Sequence, residues 1–310
     1  MPKQPPEFKK GFVEKYTTLL GSETKMFLDV STTRLPGIIR VNTLRTRVGE
    51  VEARLKARGW TVKNMPFYAP ALRIEKRDMA LGNTLEHFLG YYYVQESASM
   101  LPPLFLEPQK GEKILDTSAA PGSKTTQMSQ MMENTGVIYA NEPNLGRISA
   151  LRANAQRMGC KNIVITRMDA TRMKKTEFFD RVLVDAPCSA VGAIRKNWDI
   201  IQQWNPHMGT KLSNLQKRIL EGGVNACKPG GTIVYSTCTL EPEENEAVVD
   251  WALQNLPVEI ETFKIRSFKT REGITSWENQ TFDTTLKHAH RIYPQDNDSE
   301  GFFVARLIKQ

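Results

Sequence analysis

What this chain lacks narrows it first. Of its 310 residues only four are cysteine (Cys160, Cys188, Cys227 and Cys238) and four histidine, with no CxxC pair and no paired histidine spacing. Disulfide frameworks and structural zinc sites need denser ligands at fixed intervals, so the thiols read as reduced and no metal is expected. No apolar run approaches the roughly 20 residues that span a bilayer. The start, Met1-Pro2-Lys3-Gln4-Pro5-Pro6, is polar and proline-rich rather than an apolar signal core. The expectation is a cytoplasmic protein with no membrane partner. Gly-Lys-Ser/Thr and GxGxxG are missing as well, which argues against a phosphate loop and a dinucleotide fingerprint.

What is present is positive charge: 42 Lys and Arg against 34 Asp and Glu, a formal net charge of +8, which suits a polyanionic partner such as nucleic acid. The length allows a full α/β core, alone or with a smaller companion. Residues near Phe8 to Val30 read as helix and residues 37–42 as a short strand. Val48, Val51 and Leu55, closed by Gly59, follow a helical period, and Trp60 to Lys76 read as one or two strands. Residues 1–95 are therefore predicted to form a small N-terminal α/β module. In it Arg40, Arg45, Arg47, Lys56 and Arg58 could grip a phosphate backbone, with Trp60 stacking on a base, though each reads equally as part of a solvated helix face.

From Gln95 onward the pattern becomes strand, turn, helix, repeated. Strands near residues 113–116, 136–140, 162–165, 179–184 and 231–235 each run into a polar cluster. Strands alternating with helices predict a Rossmann-like, doubly wound, mostly parallel sheet over residues 96–310, with ligands at the carboxyl ends of its strands.

The first of those ends is Asp116-Thr117-Ser118-Ala119-Ala120-Pro121-Gly122-Ser123-Lys124, a tight loop of small residues that lets backbone amides approach a ligand. S-adenosylmethionine fits such a loop, since it has a ribose and an adenine but no pyrophosphate. Glu142, about 20 residues past the loop, is then the acceptor for ribose hydroxyls, and Asp169 an acceptor for the adenine amino group. Either acid alone reads equally as a helix N-cap. Two later strand ends each present a thiol, in Asp185-Ala186-Pro187-Cys188-Ser189 and in Ser236-Thr237-Cys238-Thr239-Leu240. A pair of thiols above one parallel sheet, near a methyl donor, suggests chemistry that needs a soft nucleophile. Any one cysteine is otherwise a small apolar filler, the reading that applies to Cys160 and Cys227. His288, His290, Arg291 and Tyr293 form a further cluster, without the carboxylate or thiol neighbours of a metal site.

The segments 116–124, 185–189 and Lys228-Pro-Gly-Gly-Thr-Ile-Val-Tyr-Ser-Thr-Cys-Thr-Leu-Glu-Pro-Glu-Glu-Asn245 resemble the signature blocks of the Sun (Nol/Nop/Sun) family of RNA cytosine-5 methyltransferases. Arg40-Val-Asn42, Tyr93-Val-Gln-Glu-Ser97, Gln216-Lys-Arg-Ile-Leu220 and Glu300-Gly-Phe-Phe-Val-Ala305 agree, so the resemblance covers nearly the whole chain. Ser123 and Ala190 stand where that family often has glycine.

The resemblance implies a class I S-adenosylmethionine methyltransferase that adds a methyl group to carbon 5 of cytosine. That carbon is a poor nucleophile until a thiolate adds to carbon 6, so covalent catalysis divides one hard step into two. A Pro-Cys motif supplies the nucleophile in DNA cytosine-5 methyltransferases, which would favour Cys188. The resemblance instead assigns attack to Cys238 and product release to Cys188. It also implies that Asp185 holds the cytosine N3/N4 edge with Lys124 nearby, and that Ser118 to Lys124, Glu142, Arg147, Asp169 and Asp185 form the cofactor site. Among RNA substrates, transfer RNA is expected before ribosomal RNA, because the chain resembles the short members of the family. A non-catalytic RNA-binding assembly factor would be expected to lack one thiol, and both are present.

Overall fold

A computed structural model of the chain describes residues 7–173 and 176–310, and the proline-rich start lies outside the described residues. In chain order the N-terminal part contains α1 (Lys10–Leu20), α2 (Thr24–Ser31), β1 (Gly37–Val41), α3 (Val48–Ala57), β2 (Thr61–Asn64), β3 (Ala71–Lys76), α4 (Leu85–Phe88) and β4 (Tyr92–Val94). Its four strands make an antiparallel sheet in the order β2-β3-β1-β4. Alternating apolar residues such as Ile39, Val41, Leu72 and Ile74 bury one face of it with Val51 and Leu55 of α3.

The remainder begins with α5 (Leu101–Leu106), β5 (Lys113–Asp116), α6 (Ser123–Met131), β6 (Val137–Asn141), α7 (Leu145–Met158), β7 (Ile163–Thr166) and β8 (Phe179–Asp185). It continues through α8 (Asp199–Gln203), α9 (Met208–Ala226), β9 (Cys227–Thr237), α10 (Glu246–Asn255), β10 (Val258–Ile260) and the short pieces β11 (Arg271–Glu272), β12 (Ser276–Trp277) and β13 (Gln280–Thr281). β14 (His290–Ile292), α11 (Pro294–Asn297) and β15 (Phe302–Lys309) complete it. The central sheet runs β7-β6-β5-β8-β9 in parallel, and β15, β14 and β11 extend it antiparallel. The doubly wound architecture read from the sequence is therefore present. Its strands β5 and β8 are neighbours although the chain winds outward from β5 through β6 and β7 before returning, so the crevice that binds ligands opens above β5 and β8.

Two features of the N-terminal part differ from expectation. Arg40 does not face solvent: it is fully buried on β1, donating from Nη1 to the Ser123 carbonyl (2.9 Å) and from Nη2 to Thr126 Oγ1 (2.8 Å), and its Cζ lies 5.5 Å from the Tyr93 ring. Trp60 is also buried, its Nε1 donating to Asp78. Alternation along β1 sends Arg40 and Asn42 to one face, where Asn42 donates to the carbonyls of Gly90 and Met158. The Arg40-Val-Asn42 segment is thus a rivet between the two parts, leaving Arg45, Arg47, Lys56 and Arg58 as the exposed cations of the expected set. Secondly, Phe12, Tyr16 and Phe27 of α1 and α2 pack with Val191, Ile194, Trp204 and Leu240, beside the thiol-bearing segments.

Candidate active site

A cavity of about 610 Å³ opens above β5 and β8 and is lined by residues of both parts, among them Tyr93, Ser118, Lys124, Asp185, Cys238 and Phe302. Its floor follows from the loop after β5. Gly122 has φ +105°, and a Cβ there would lie 3.0 Å from Leu151 Cδ1, so only glycine lets the loop close onto α7. Asp116, buried beneath, accepts from Thr125 Oγ1 at 2.7 Å and from the Ser118 amide at 3.3 Å. Burial pushes its carboxyl up to about 7.

The residues expected to hold a cofactor lie at successive strand ends. Glu142, just past β6, is buried, with Oε1 accepting from the Asn144 amide (2.9 Å); its Oε2 takes no hydrogen bond, although Arg147 Nη1 stands 3.2 Å away. Arg147 also donates to the Ala120 carbonyl at 2.6 Å, tying the glycine loop to α7. A buried carboxylate oxygen without a hydrogen bond suits a hydroxyl donor such as a ribose. Asp169, past β7, is half-exposed and caps the turn that follows it, accepting from the Thr171 amide at 3.0 Å. Neither Glu142, Arg147 nor Asp169 lines the cavity itself.

The thiols meet because their strands do. β8 and β9 pair with Asp185 opposite Ser236, so the turns that follow bring Cys188 Sγ and Cys238 Sγ to 3.3 Å. Ser189 Oγ and Thr239 Oγ1, 2.7 Å apart, join the two turns. Lys124 donates to Asp185 Oδ2 at 2.7 Å while Ser236 Oγ donates to Oδ1 at 2.8 Å. Burial works against the Lys124 ammonium, but the charge and hydrogen bond of Asp185, with Cys238 beyond, raise its pKa overall.

Behind Cys188 stands an acid that sequence reasoning gave no role. Glu244 is fully buried, and its Oε2 accepts from the Ser189 amide (3.0 Å) and Gln216 Nε2 (2.8 Å). Lys196 and Glu300, paired at 2.6 Å on the cavity wall, were missed too. Glu244 and Glu300 fall inside blocks with a family pattern, whereas Lys196 lies in a segment with no periodic or motif signal. The His288–Tyr293 cluster is structural: Arg291 is buried and pairs with Glu246 at 2.5 Å. Among the described residues no group of three or more His, Cys, Asp or Glu is placed to hold a metal ion, and no helix is long and apolar enough to cross a membrane.

Residues 103–308 match the family model described as 16S rRNA methyltransferase RsmB/F, and residues 8–97 match the N-terminal domain of 16S rRNA methyltransferase RsmF. The chain is 41% identical, over 98% of both lengths, to the tRNA (cytosine(49)-C(5))-methyltransferase of Pyrococcus abyssi. It is 38% identical to the ribosomal RNA small subunit methyltransferase F of Vibrio parahaemolyticus, with 96% of the chain covering 62% of that longer protein. Among solved structures it superposes on a methyltransferase homologue from Pyrococcus horikoshii with a TM-score of 0.86 and 33% identity, over 98% of this chain and 96% of that one.

Proposed function

The chain belongs to the RsmB/F (Sun) family of S-adenosylmethionine-dependent RNA (cytosine-5) methyltransferases, and on that premise we propose that it methylates transfer RNA through a covalent Cys238 adduct. The observation that supports the chemistry is the pair of thiols 3.3 Å apart, beside the Lys124–Asp185 pair. S-adenosylmethionine supplies the electrophilic methyl group. Cys238 adds to carbon 6 of a cytosine that has left its stack, which makes carbon 5 nucleophilic. Asp185, fixed by Lys124 and Ser236, accepts at the N3/N4 edge and stabilises the protonated ring. Once carbon 5 holds the methyl group, its proton passes to a solvent base, the carbon 5–carbon 6 double bond re-forms and the carbon 6–sulfur bond breaks. Cys188, 3.3 Å away, assists release by hydrogen bonding to the departing Cys238 thiolate.

The surroundings of the thiols favour this order. Cys238 lines the cavity together with two cations, Lys124 and Lys196, and Cys188 does not line it. Cys188 instead shares a hydrogen bond with Cys238 and stands half-buried in front of Glu244, and the contact with Cys238, desolvation and the nearby carboxylate push its pKa well up. A thiolate forms more readily among cations, and a thiol keeps its proton beside a carboxylate. For the cofactor we propose the loop Ser118, Ala119, Ala120, Pro121, Gly122, Ser123 and Lys124, with Glu142 for the ribose, Arg147 holding the loop, Asp169 near the adenine, and Asp185 at the methyl-transfer end. Residues 1–95 are proposed as the RNA-gripping module and residues 96–310 as the methyltransferase domain.

Transfer RNA is favoured over ribosomal RNA because the chain is 41% identical to its tRNA-methylating relative and 38% identical to its rRNA-methylating one. The test is to incubate the protein with S-adenosylmethionine and with separate pools of unmodified transfer RNA and 16S ribosomal RNA, then locate 5-methylcytosine by bisulfite sequencing. Methylation at one transfer RNA position is expected. Methylation confined to the ribosomal RNA would overturn the substrate, though not the chemistry.

A further inference from the structure

A base can enter the cavity only if its nucleotide leaves the stack, and the base enters alone: its two flanking phosphates stay at the rim. The phosphates stay with solvent, so the cations that hold them are the exposed ones of the lining rather than Lys124, which is buried on Asp185. Two further cations line the same cavity, Lys196 from the methyltransferase domain, which also lies near the Cys238 turn, and Arg77 just past β3 in the N-terminal module.

Lys196 has an unusual setting for a surface lysine. Its side chain is 56% exposed, yet its ammonium sits 2.6 Å from Glu300 Oε1, on a carboxylate side chain only 2% exposed. A long free lysine samples many rotamers; a buried acid at its ammonium fixes one. The backbone on both sides is also fixed. The Gly192 amide donates to the Cys238 carbonyl and the Gly301 amide to the Gly192 carbonyl, both at 2.9 Å, which leaves no room for a side chain at Gly192. Lys196 and Glu300 are thereby held in register with the nucleophile's own turn. Arg77 is exposed, lies over Gly37, and has no ion-pair or hydrogen-bond partner among the described residues.

We infer that Lys196 and Arg77 are the phosphate contacts that flank the target nucleotide, one from each module, and that Glu300 is the positioning residue that keeps Lys196 at the mouth. The inference rests on RNA as the substrate class and not on transfer RNA in particular.

The test is the salt dependence of binding to an unmodified transfer RNA transcript, measured by fluorescence anisotropy on the full chain. Removing one cation–phosphate pair should flatten the slope of log affinity against log salt by about 0.7 to 0.9. Lys196→Gln and Arg77→Gln are each expected to do so, and the double variant to flatten it by about twice as much, with S-adenosylmethionine affinity unchanged. Lys110→Gln, just before the amino end of β5 and so at the opposite end of the strands from the cavity, controls for net charge and should leave the slope alone. Glu300→Gln should weaken RNA binding in the wild-type background and add nothing to Lys196→Gln. Slopes equal to wild type in both single variants would overturn the phosphate assignment, and additive effects would remove Glu300 from the positioning role. Wild-type binding indifferent to salt would count against the RNA reading itself, a separate failure.

Discussion

The two turns that end β8 and β9 are alike in sequence and nearly touch, yet they are supported from behind in opposite ways. The Cys238 turn faces Lys124 and Lys196, and its backbone is held by buried hydroxyls and an amide: Thr237 Oγ1 donates to Asn245 Oδ1 at 2.6 Å, and Asn245 Nδ2 donates to the Thr239 carbonyl at 3.1 Å. The Cys188 turn rests on Glu244 and Gln216, the latter donating to the Pro187 carbonyl at 2.9 Å. Sheet register makes the thiols neighbours; what stands behind each turn makes them different. The proposed division of labour between two chemically identical groups therefore rests on the side chains that surround each turn.

The comparison breaks most sharply at the thiols themselves. Cys238→Ala is expected to abolish methylation and to leave no protein–RNA complex on a denaturing gel, because no adduct to carbon 6 can form. Cys188→Ala should still add and transfer, then stall before elimination, and accumulate a complex that survives denaturation. A trapped complex with Cys238→Ala and none with Cys188→Ala would exchange the roles, and full activity in both would remove covalent catalysis.

Much of this was legible in the sequence, because the strand-turn-helix alternation places the loop 118–124, Glu142, Asp169, Cys188 and Cys238 at the carboxyl ends of β5 to β9. The nearness of the two thiols, 50 positions apart in the chain, was not, since it depends on β8 and β9 being adjacent and in register. Arg40 was misread for a related reason. A lone arginine in a strand is normally a surface residue, and only the docking of β1 against α6 takes it out of water, where burial pushes its pKa down to about 10. That docking, with the packing of α1 and α2 beside the thiol turns, means that removing residues 1–95 would strip apolar cover from Ile194, Trp204 and Leu240, so point variants test the module better than truncation.

The next largest effect should come from Glu244→Gln, which keeps the shape behind Cys188 but removes the charge. Burial, opposed by hydrogen bonds from Ser189 and Gln216, pushes Glu244 up from 4.5 to about 7. The folded chain then binds that proton more tightly than the unfolded one. Its contribution is full below pH 4.5 and is lost as pH rises to about 7. Glutamine should flatten the stability profile across that window by on the order of 3 kcal/mol, read from urea denaturation at several pH values. Cys188 should also ionise at lower pH, measured as the pH dependence of its alkylation in Cys238→Ala with and without Glu244→Gln. An unchanged alkylation profile would mean that the carboxylate does not set the thiol's state.

The smallest effect tests the turn rather than the charge. Ala190, two residues past Cys188, holds φ +59°, left-handed backbone that costs an alanine roughly 1 to 2 kcal/mol and a glycine almost nothing. Glycine gives back part of that gain through the greater freedom of the unfolded chain, roughly 0.5 to 1 kcal/mol. The net expectation for Ala190→Gly is stabilisation by about 0.5 to 1 kcal/mol, seen as a higher urea midpoint at unchanged slope. The Cys238 turn offers no equivalent, since no residue from 236 to 240 has a positive φ. The left-handed residue is needed because the chain must reverse at once to bring Gly192 onto the Cys238 carbonyl. A lower midpoint for Ala190→Gly would mean that the alanine methyl packs usefully in that reversal and that the Cys188 turn is held by contact as well as by Glu244.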